Sequence, residues 1–361
     1  MESAVRSDKF AMPAWECDKN IVPRTTSNQV QHQVVPVRLQ VMLCLCHLAT
    51  GEPFASVAMA GHSGRDTVRH FFHRFTAWMV DFYFDYKVTG PSGIGFKTVA
   101  DVEKAELISC KLGLLSIATC VDGVHVACDR APFDVKYKFV AKEGYQTTTD
   151  VYWYTNHVSS SASIHWQFYN PTVVWNVHVD AVGVIKYVAP QLFGAANDKT
   201  QVRQDKLVQA LRTSPLFTKR ECSLQGCAQD KVVSTSSLCD CGYHAWLSII
   251  SAPKYPACCN EVRWASHCER VRKIMERTFG ILKVYFLVLR LPILYNRGNG
   301  IDSEQSSWKL DNVFKTCCML HNWLMLHIWL DTMGTQSTNW MQPSPDETKD
   351  QQRIYNLAVS L

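Results

Sequence analysis

The sequence lacks the features that would assign it to several common classes of protein. No stretch reaches the roughly 18 uncharged apolar residues that a membrane-spanning helix needs, so no membrane partner is expected. The first 20 residues carry charges and no apolar run, so no secretory signal is expected there. The net charge of +5 is modest: it permits nucleic-acid binding without arguing for it.

Cysteine, by contrast, is abundant, with 15 residues spread irregularly over 361 positions. Without an oxidising compartment these thiols should stay reduced, and an odd number fits free thiols better than a disulfide framework. The cysteines that come closest to forming a cluster in the sequence are Cys222, Cys227, Cys239 and Cys241. They lack the two regularly spaced C-x-x-C pairs that are typical of a zinc site. We favour buried or idle thiols over a zinc site.

The N-terminal part of the chain divides into a polar leader and a helical region. Residues 1–35 are polar and predict a flexible leader, whereas residues 36–90 predict helical pieces joined by tight turns. Such a region is typical of a helix-turn-helix unit, whose last helix would present Arg65 and Arg69 to DNA. A small helical bundle that only packs against the rest is an equal alternative.

The remainder of the chain predicts an α/β domain over residues 110–331, with a loose tail at 332–361. Apolar runs and alternation predict strands and a hairpin, and longer periodic runs predict helices. Their order favours a mixed sheet with flanking helices. Residues 129–170 have no clear period and are interpreted as a long connection. The predicted elements are strands at 114–126, 172–180, 184–188 and 231–238, and helices at 199–212, 263–289 and 309–329.

Three carboxylates are well placed on or directly after these predicted elements to bind a metal ion. Asp122 lies at the end of an apolar strand, Asp240 follows a later strand, and Glu276 lies on the long helix, with 35 residues between Asp240 and Glu276. Carboxylates on rigid elements can hold Mg²⁺ or Mn²⁺, and two such ions can stabilise both the attacking and the leaving oxygen of a phosphodiester. Taken singly, each has a plainer explanation as a turn residue or a surface salt-bridge residue.

Four motifs in order carry a family resemblance. They are VDGVH at 121–125, LCDCGY at 238–243, RKIMERTFGILK at 272–283 and CCMLHN at 317–322, with GAAND at 194–198 after the first. Together they resemble the Harbinger/PIF-type DDE transposases, the plant-transposon-protein branch especially. The likeness covers roughly residues 37–329.

The resemblance implies a ribonuclease H-like fold and a nuclease that cuts and joins double-stranded DNA at transposon ends and target sites. It implies catalytic and metal-binding roles for Asp122, Asp240 and Glu276, with two Mg²⁺ or Mn²⁺ ions. Asp198 matches a further family aspartate, although capping the helix that follows is the favoured role. His321 and Asn322 also match, and packing is favoured for both.

The resemblance also implies a Myb-like DNA-binding partner and a nuclear location, with a cytoplasmic pool and a homo-oligomer as further expectations. A captured or inactive copy that binds DNA or protein without cutting is the alternative function. Seven Lys/Arg and two acidic residues lie between Arg263 and Arg290, which favours phosphate contact. The DNA-contacting side chains predicted there are Arg270, Arg272, Lys273, Arg277 and Lys283. Trp264 and Tyr285 flank this run, where core packing is favoured over base stacking.

Overall fold

The computed structural model describes most of the chain between its two terminal segments. The described ranges are 35–83, 94–129, 172–218, 220–222, 231–244, 246–291, 293–294 and 303–325. The predicted leader, the C-terminal tail and almost all of the predicted connection at 129–170 therefore lie outside the described residues. No helix in these ranges is both long and apolar enough to cross a membrane.

The described residues fall into two compact units, the first of which is helical and comprises residues up to His47 together with Glu52–Phe75. Helices α1 (Val37–Thr50), α2 (Phe54–Ala60) and α3 (Arg65–Tyr83) begin in this part of the chain. The apolar residues that predicted helical spacing form its core, where Leu43, Val57, Ala58 and Val68 pack together. The helices expected between residues 36 and 90 are confirmed as far as Tyr83.

The second unit has α/β architecture and contains the remaining elements. Its helices are α4 (Val99–Lys111), α5 (Asp198–Gln204), α6 (Lys206–Thr213), α7 (Cys259–Tyr285) and α8 (Ser303–Leu324). Its strands are β1 (Ile117–Asp129), β2 (Thr172–Val179), β3 (Ile185–Val188), β4 (Leu192–Phe193), β5 (Arg220–Cys222), β6 (Lys231–Val233), β7 (Ser236–Cys239), β8 (Ile249–Ser251) and β9 (Ile293–Leu294).

A mixed sheet forms the centre of this unit, with strand order β3-β2-β1-β7-β8. Strands β1, β2 and β3 pair antiparallel, so the predicted hairpin is confirmed, whereas β7 and β8 run parallel to β1. Strand β4 adds to β2 and β9 adds to β1, while β5 and β6 pair separately. This mixed sheet with flanking helices fits the ribonuclease H-like fold that the resemblance implied.

Both faces of β2 are covered, because every residue from Val173 to Val179 is buried. On one face the Trp175 ring stacks on Phe314 of α8 with centroids 4.2 Å apart, and its Nε1 donates to Asp311 Oδ1 at 2.9 Å. The opposite face carries Asn176 and His178, which contact the start of α6. The alternation of apolar residues therefore predicted one buried face of β2, and the opposite face is buried because its polar side chains form hydrogen bonds.

The helix expected at 199–212 is two helices, and the predicted cap is wrong. Asn197 caps α5, because its Oδ1 accepts from Thr200 N at 2.9 Å. Asp205 interrupts the run and caps α6 by accepting from the backbone N–H groups of Leu207 and Val208. Asp198 is the first helical residue of α5, so its carboxylate is available for other contacts.

The packing role favoured for His321 and Asn322 is confirmed at the end of α8. Asn322 Oδ1 accepts from Ile185 N, and Asn322 Nδ2 donates to Ile185 O, both at 2.8 Å. His321 Nε2 contacts Gly183 O at 3.0 Å. Both residues therefore fasten the turn and the first strand residue of the β2–β3 hairpin to α8.

Buried thiols account for six of the cysteines that the structure describes. They are Cys44, Cys120, Cys239, Cys268, Cys317 and Cys318. Burial raises the pKa of Cys120 to about 12, which keeps this thiol protonated and unreactive. Within the described residues, no group of His, Cys, Asp or Glu side chains is arranged as a metal site.

Candidate functional site

Three aspartates from separate parts of the chain approach each other beside the central sheet. Asp122 lies within β1, Asp240 directly follows the neighbouring β7, and Asp198 begins α5. The strand order explains the first pair, because β1 and β7 are hydrogen-bonded neighbours that run parallel. The structure therefore brings Asp198 next to the two aspartates that the motifs had placed at the end of strands.

Two glycines allow this approach. A Cβ at Gly242 would collide with Asp198 Oδ2 and lie 3.0 Å from Asp240 Oδ1. At Gly123 a Cβ would lie 3.0 Å from Gln201 Oε1 on α5. The absence of a side chain at both positions therefore leaves room for the Asp198 and Gln201 side chains of α5 beside β1 and the turn after β7.

Arg272 projects from α7 into the same place. Its Nη1 lies 3.7 Å from Asp122 Oδ2, and its Nε lies 3.4 Å from Glu269 Oε1. The Arg272 side chain is only 14% exposed, and both nitrogens are buried without a hydrogen bond of good geometry in the described part of the chain. The guanidinium is thus an incompletely satisfied donor beside three carboxylates.

The electrostatics of the site follow from burial and from like charges. Burial raises the pKa of Asp122 to about 6; Arg272 and the Gly123 N–H oppose this shift, while Asp240 and Asp198 add to it. Burial and then Asp240 raise the pKa of Asp198, and Arg272 opposes them. For Arg272, burial acts to lower the pKa, but the attraction of Asp122 and Glu269 outweighs it and the pKa rises.

Glu276, the third carboxylate implied by the resemblance, lies on α7 one turn beyond Arg272. Its side chain is exposed, whereas Met275 and Thr278 beside it are buried against the sheet. Glu269 lies on the other side of Arg272, one turn earlier, and pairs with it. Helix α7 therefore carries one glutamate a turn to either side of Arg272, and Glu276 was the one that the motif singled out.

The donor set suits a hard divalent cation, because the side chains that approach each other offer carboxylate oxygens. Their repulsion contributes to the raised pKa values of Asp122 and Asp198, and a cation between them would relieve it. No three potential ligands among the described residues are grouped closely enough to hold one ion. Arg272 supplies the positive charge beside these aspartates, and their carboxylate oxygens match the chemistry that such an ion requires.

The basic residues predicted to contact DNA have different surroundings. Arg272 is turned inward to Asp122, whereas the helix surface carries three exposed members of the run, Arg270, Lys273 and Arg277; Lys283 is half-buried. In the helical unit, Arg65 and Arg69 are exposed and pair with Asp66. The core role favoured for Trp264 and Tyr285 is wrong, because they are 37% and 44% exposed.

A second polar cluster, which sequence reasoning missed, lies within the core next to the site. It consists of Asn176 and His178 on β2, Asp205 before α6, and Tyr243 three residues after Asp240. One signal was available: Asp205 precedes an apolar run at helical spacing, which is typical of a helix N-cap. Nothing in the pattern indicated that the other three side chains would meet it.

Comparison with known protein families gives one match over the region that contains all of these carboxylates. A family model described as DDE superfamily endonuclease matches residues 121–322. Searches of curated proteins and of solved structures return no match. The matched region covers more than half of the chain, from the strand of Asp122 to Asn322, and the chain therefore belongs to the DDE superfamily endonucleases.

Proposed function

We propose that this protein is a transposase of the Harbinger/PIF type that cuts and joins double-stranded DNA at transposon ends and target sites. One observation carries the proposal: Asp122, Asp198 and Asp240 converge beside Arg272 within the region that matches the endonuclease family. An accumulation of under-paired carboxylates is costly to the fold, which is typical of a functional site rather than a structural one.

Asp122, Asp240 and Glu276 are the residues that would hold two divalent ions, with Mg²⁺ or Mn²⁺ as the expected species. Each of the three would contribute carboxylate oxygens as ligands. Such a pair of ions supplies positive charge that stabilises the attacking and leaving oxygens of a phosphodiester. Glu276 would turn inward from its exposed position, and Asp198 would support Asp240.

The basic residues of the chain have two roles in this proposal. Arg272 offers buried, unsatisfied N–H donors beside the carboxylates, where the scissile phosphate would need countercharge. Arg270, Lys273 and Arg277 are exposed on the same helix and would contact neighbouring phosphates, which position the duplex without reading its sequence. Lys283, which is half-buried further along α7, would extend this contact.

The helical unit would supply a further DNA contact. Helices α2 and α3 are joined by a tight turn at residues 61–64, and Arg65 and Arg69 are exposed at the start of α3. This geometry supports a helix-turn-helix role in which α3 enters the major groove. A Myb-like partner, a homo-oligomer and a nuclear location complete the proposal and rest on the family resemblance alone.

Cleavage of supercoiled plasmid tests the enzymatic part of the proposal directly. We expect nicking by the unmodified protein with Mg²⁺ or Mn²⁺ and none with EDTA. Asp122→Asn, Asp240→Asn and Glu276→Gln should each lower the rate by at least about 10³-fold, since each removes a proposed ion ligand. Unchanged cleavage in these variants contradicts the proposed site.

Glu269→Gln is the informative control for the third carboxylate. Glu269 lies on the same helix as Glu276 and contacts Arg272, but it is not a proposed ligand. It should retain at least roughly a tenth of the activity, because only an ion pair at half-exposed Glu269 is lost. If Glu269→Gln abolishes cleavage and Glu276→Gln does not, the third ligand has been assigned to the wrong glutamate. DNA binding without cleavage by the unmodified protein would favour the captured, inactive alternative.

A further inference from the structure

A buried polar network lies directly behind the aspartates and is centred on Asp205. Asp205 is fully buried, and its Oδ1 accepts from the backbone N–H groups of Leu207 and Val208 at 2.9 and 3.1 Å. Its Oδ2 accepts from Asn176 Nδ2 at 2.5 Å and from His178 Nε2 at 3.0 Å. Four donors occupy the four acceptor positions of this carboxylate, so Asp205 has no oxygen left for a metal ion.

His178 extends the network across the sheet. With its Nε2–H directed at Asp205, its Nδ1 accepts from the hydroxyl of Thr119 on β1 at 3.1 Å or of Ser237 on β7 at 3.3 Å. These two hydroxyls also bond each other at 2.7 Å. The network therefore ties β1, β2, β7 and the start of α6 into one rigid unit, and the two strands that lead to Asp122 and Asp240 belong to it.

Tyr243 connects this network to the site. Its hydroxyl donates to Asn176 Oδ1 at 2.8 Å, which fixes the orientation of the Asn176 amide because Nδ2 is engaged by Asp205. The ring is buried in a core cluster with Val121 and Cys239, the residues that precede Asp122 and Asp240. Burial raises the pKa of Tyr243 well above its ordinary value, and the nearby charges of Asp122, Asp198 and Asp240 add to the shift, so the hydroxyl remains a donor.

Few other polar contacts among the described residues hold the turn at residues 240–243, which ends at Tyr243. Asp240 Oδ1 accepts from Gly242 N at 2.8 Å, a bond within the turn itself. Cys241 and Gly242 are exposed, and the next buried side chain is that of Tyr243. Cys241 Sγ contacts Ala252 O at 3.2 Å, which is a weak bond. The Tyr243 hydroxyl is thus the strong polar anchor that the described contacts provide at the end of this turn.

We infer that Tyr243 is a positioning residue: through Asn176 and Asp205 it holds the turn at residues 240–243 so that Asp240 stays beside Asp122 and Asp198. The inference rests on the proposed function for its consequence, which is ordered binding of divalent ions at Asp240. Its structural part, the order of the turn, does not depend on that function. Tyr243 acts through the turn and touches neither substrate nor ion.

Tyr243→Phe removes the hydroxyl and leaves the packed ring in place. Thr316→Val is the matched control, because Thr316 is fully buried and its hydroxyl donates to Thr76 O on another face of the same unit. Hydrogen exchange at residues 240–244 should be about 5-fold faster in Tyr243→Phe, equivalent to one lost hydrogen bond, and unchanged in Thr316→Val. Both variants are compared below their unfolding transitions.

Metal binding gives the second readout. The Mn²⁺ concentration for half-maximal cleavage should rise about 10-fold in Tyr243→Phe, with DNA affinity in EDTA unchanged, because the loss concerns ligand orientation. In an Asn176→Ala background, Tyr243→Phe should add less than about twofold, because the acceptor is already absent. A general loss of stability would not produce this separation between metal response and DNA affinity.

The two readouts separate the inference from the proposed function. If the unmodified protein neither binds Mn²⁺ nor cleaves DNA, the proposed function fails, and hydrogen exchange still decides whether Tyr243 orders the turn. If exchange at 240–244 is the same in Tyr243→Phe and Thr316→Val, the inference is overturned whether or not the protein cleaves DNA. Faster exchange together with the raised Mn²⁺ requirement supports both.

Discussion

Asp122 and Asp205 lie against the same sheet, yet their carboxylates are paired in very different ways. Asp205 is fully buried and accepts four hydrogen bonds, two from backbone N–H groups and two from side chains. Asp122 accepts one good hydrogen bond, from Gly123 N at 2.8 Å, and faces Arg272 at 3.7 Å. Asp240 and Asp198 lie close enough to Asp122 to repel its ionised form.

This difference distinguishes a fully paired carboxylate from an incompletely paired one. A buried carboxylate with all its acceptors filled stabilises the elements that donate to it, and removing it leaves several buried donors unpaired. A carboxylate that is desolvated beside other carboxylates costs free energy, and a cation bound among them would recover that cost. Substitutions at the two positions should therefore change stability in opposite directions.

The largest expected effect on stability belongs to Asp205→Asn. An amide offers one acceptor oxygen, so two of the four donors that now bind Asp205 lose their partner inside the core. We expect the free energy of unfolding to fall by about 2–4 kcal/mol, measured by urea denaturation with EDTA present. A change below about 0.5 kcal/mol would show that Asp205 is not the centre of the network.

Asp122→Asn should act in the opposite direction, with a dependence on pH. The folded pKa of about 6 lies above the ordinary value of 3.8, so the folded protein disfavours the ionised form. Stability from this group is full below about pH 4 and is lost as pH rises through about 6. Because the side chain is 31% exposed, we expect Asp122→Asn to stabilise the metal-free protein by roughly 1–2 kcal/mol at about pH 8.

The pH profile of thermal unfolding in EDTA checks this sign. The difference between Asp122→Asn and the unmodified protein should vanish below about pH 3, where Asp122 is protonated in both the folded and unfolded states. Destabilisation by Asp122→Asn at about pH 8 would mean that the Arg272 contact outweighs burial and repulsion. In that case Asp122 would resemble Asp205 and would stabilise the metal-free fold.

A smaller effect, on the affinity for Mn²⁺, is expected from a substitution at Gly242, where the turn at residues 240–243 meets α5. Ala at this position would force Asp198 away, because the new Cβ collides with Asp198 Oδ2. We expect Gly242→Ala to weaken Mn²⁺ binding about 10-fold, measured by calorimetric titration. Gly280→Ala is the control: a Cβ there meets nothing within 4 Å, and Mn²⁺ binding should be unchanged while helix propensity improves. Equal Mn²⁺ affinity in both variants would remove Asp198 from the site.

The smallest effect concerns the exposed surface of α7. Lys273 is exposed on the helix that also presents Arg272 to Asp122. Lys273→Ala should weaken DNA binding equally for all sequences and reduce the slope of log K against log salt by about 1. Lys104→Ala, at an exposed position of α4, is the comparison and should leave the slope unchanged. Identical slopes for the two variants would place the DNA elsewhere.

Periodicity predicted the elements of the α/β unit well where the signal was local. Helix α7 and strands β1, β2 and β3 lie within a few residues of their predicted bounds, because apolar spacing and a turn at Gly183 determine them. Helix α4 was missed although Thr98 and Asp101 form a capping box, a signal that the sequence carries. Short strands such as β4 and β8 leave too few residues for a pattern.

The site itself was predictable only in part. Asp122 and Asp240 were identified by motif, and the parallel pairing of β1 with β7 brings their strands together. The inward turn of Arg272 and the network around Asp205 depend on contacts between residues far apart in the chain, such as Tyr243 with Asn176. Such contacts follow from how the helices pack on the sheet, and no local spacing encodes them.

One measurement tests the central claim most directly: anomalous scattering from crystals of the unmodified protein containing Mn²⁺. We predict a Mn²⁺ peak at coordination distance, about 2.1 Å, from carboxylate oxygens of both Asp122 and Asp240, with Arg272 displaced from Asp122. Absence of any peak between these two aspartates at saturating Mn²⁺, with Arg272 still paired to Asp122, would contradict a metal-dependent catalytic centre at this site.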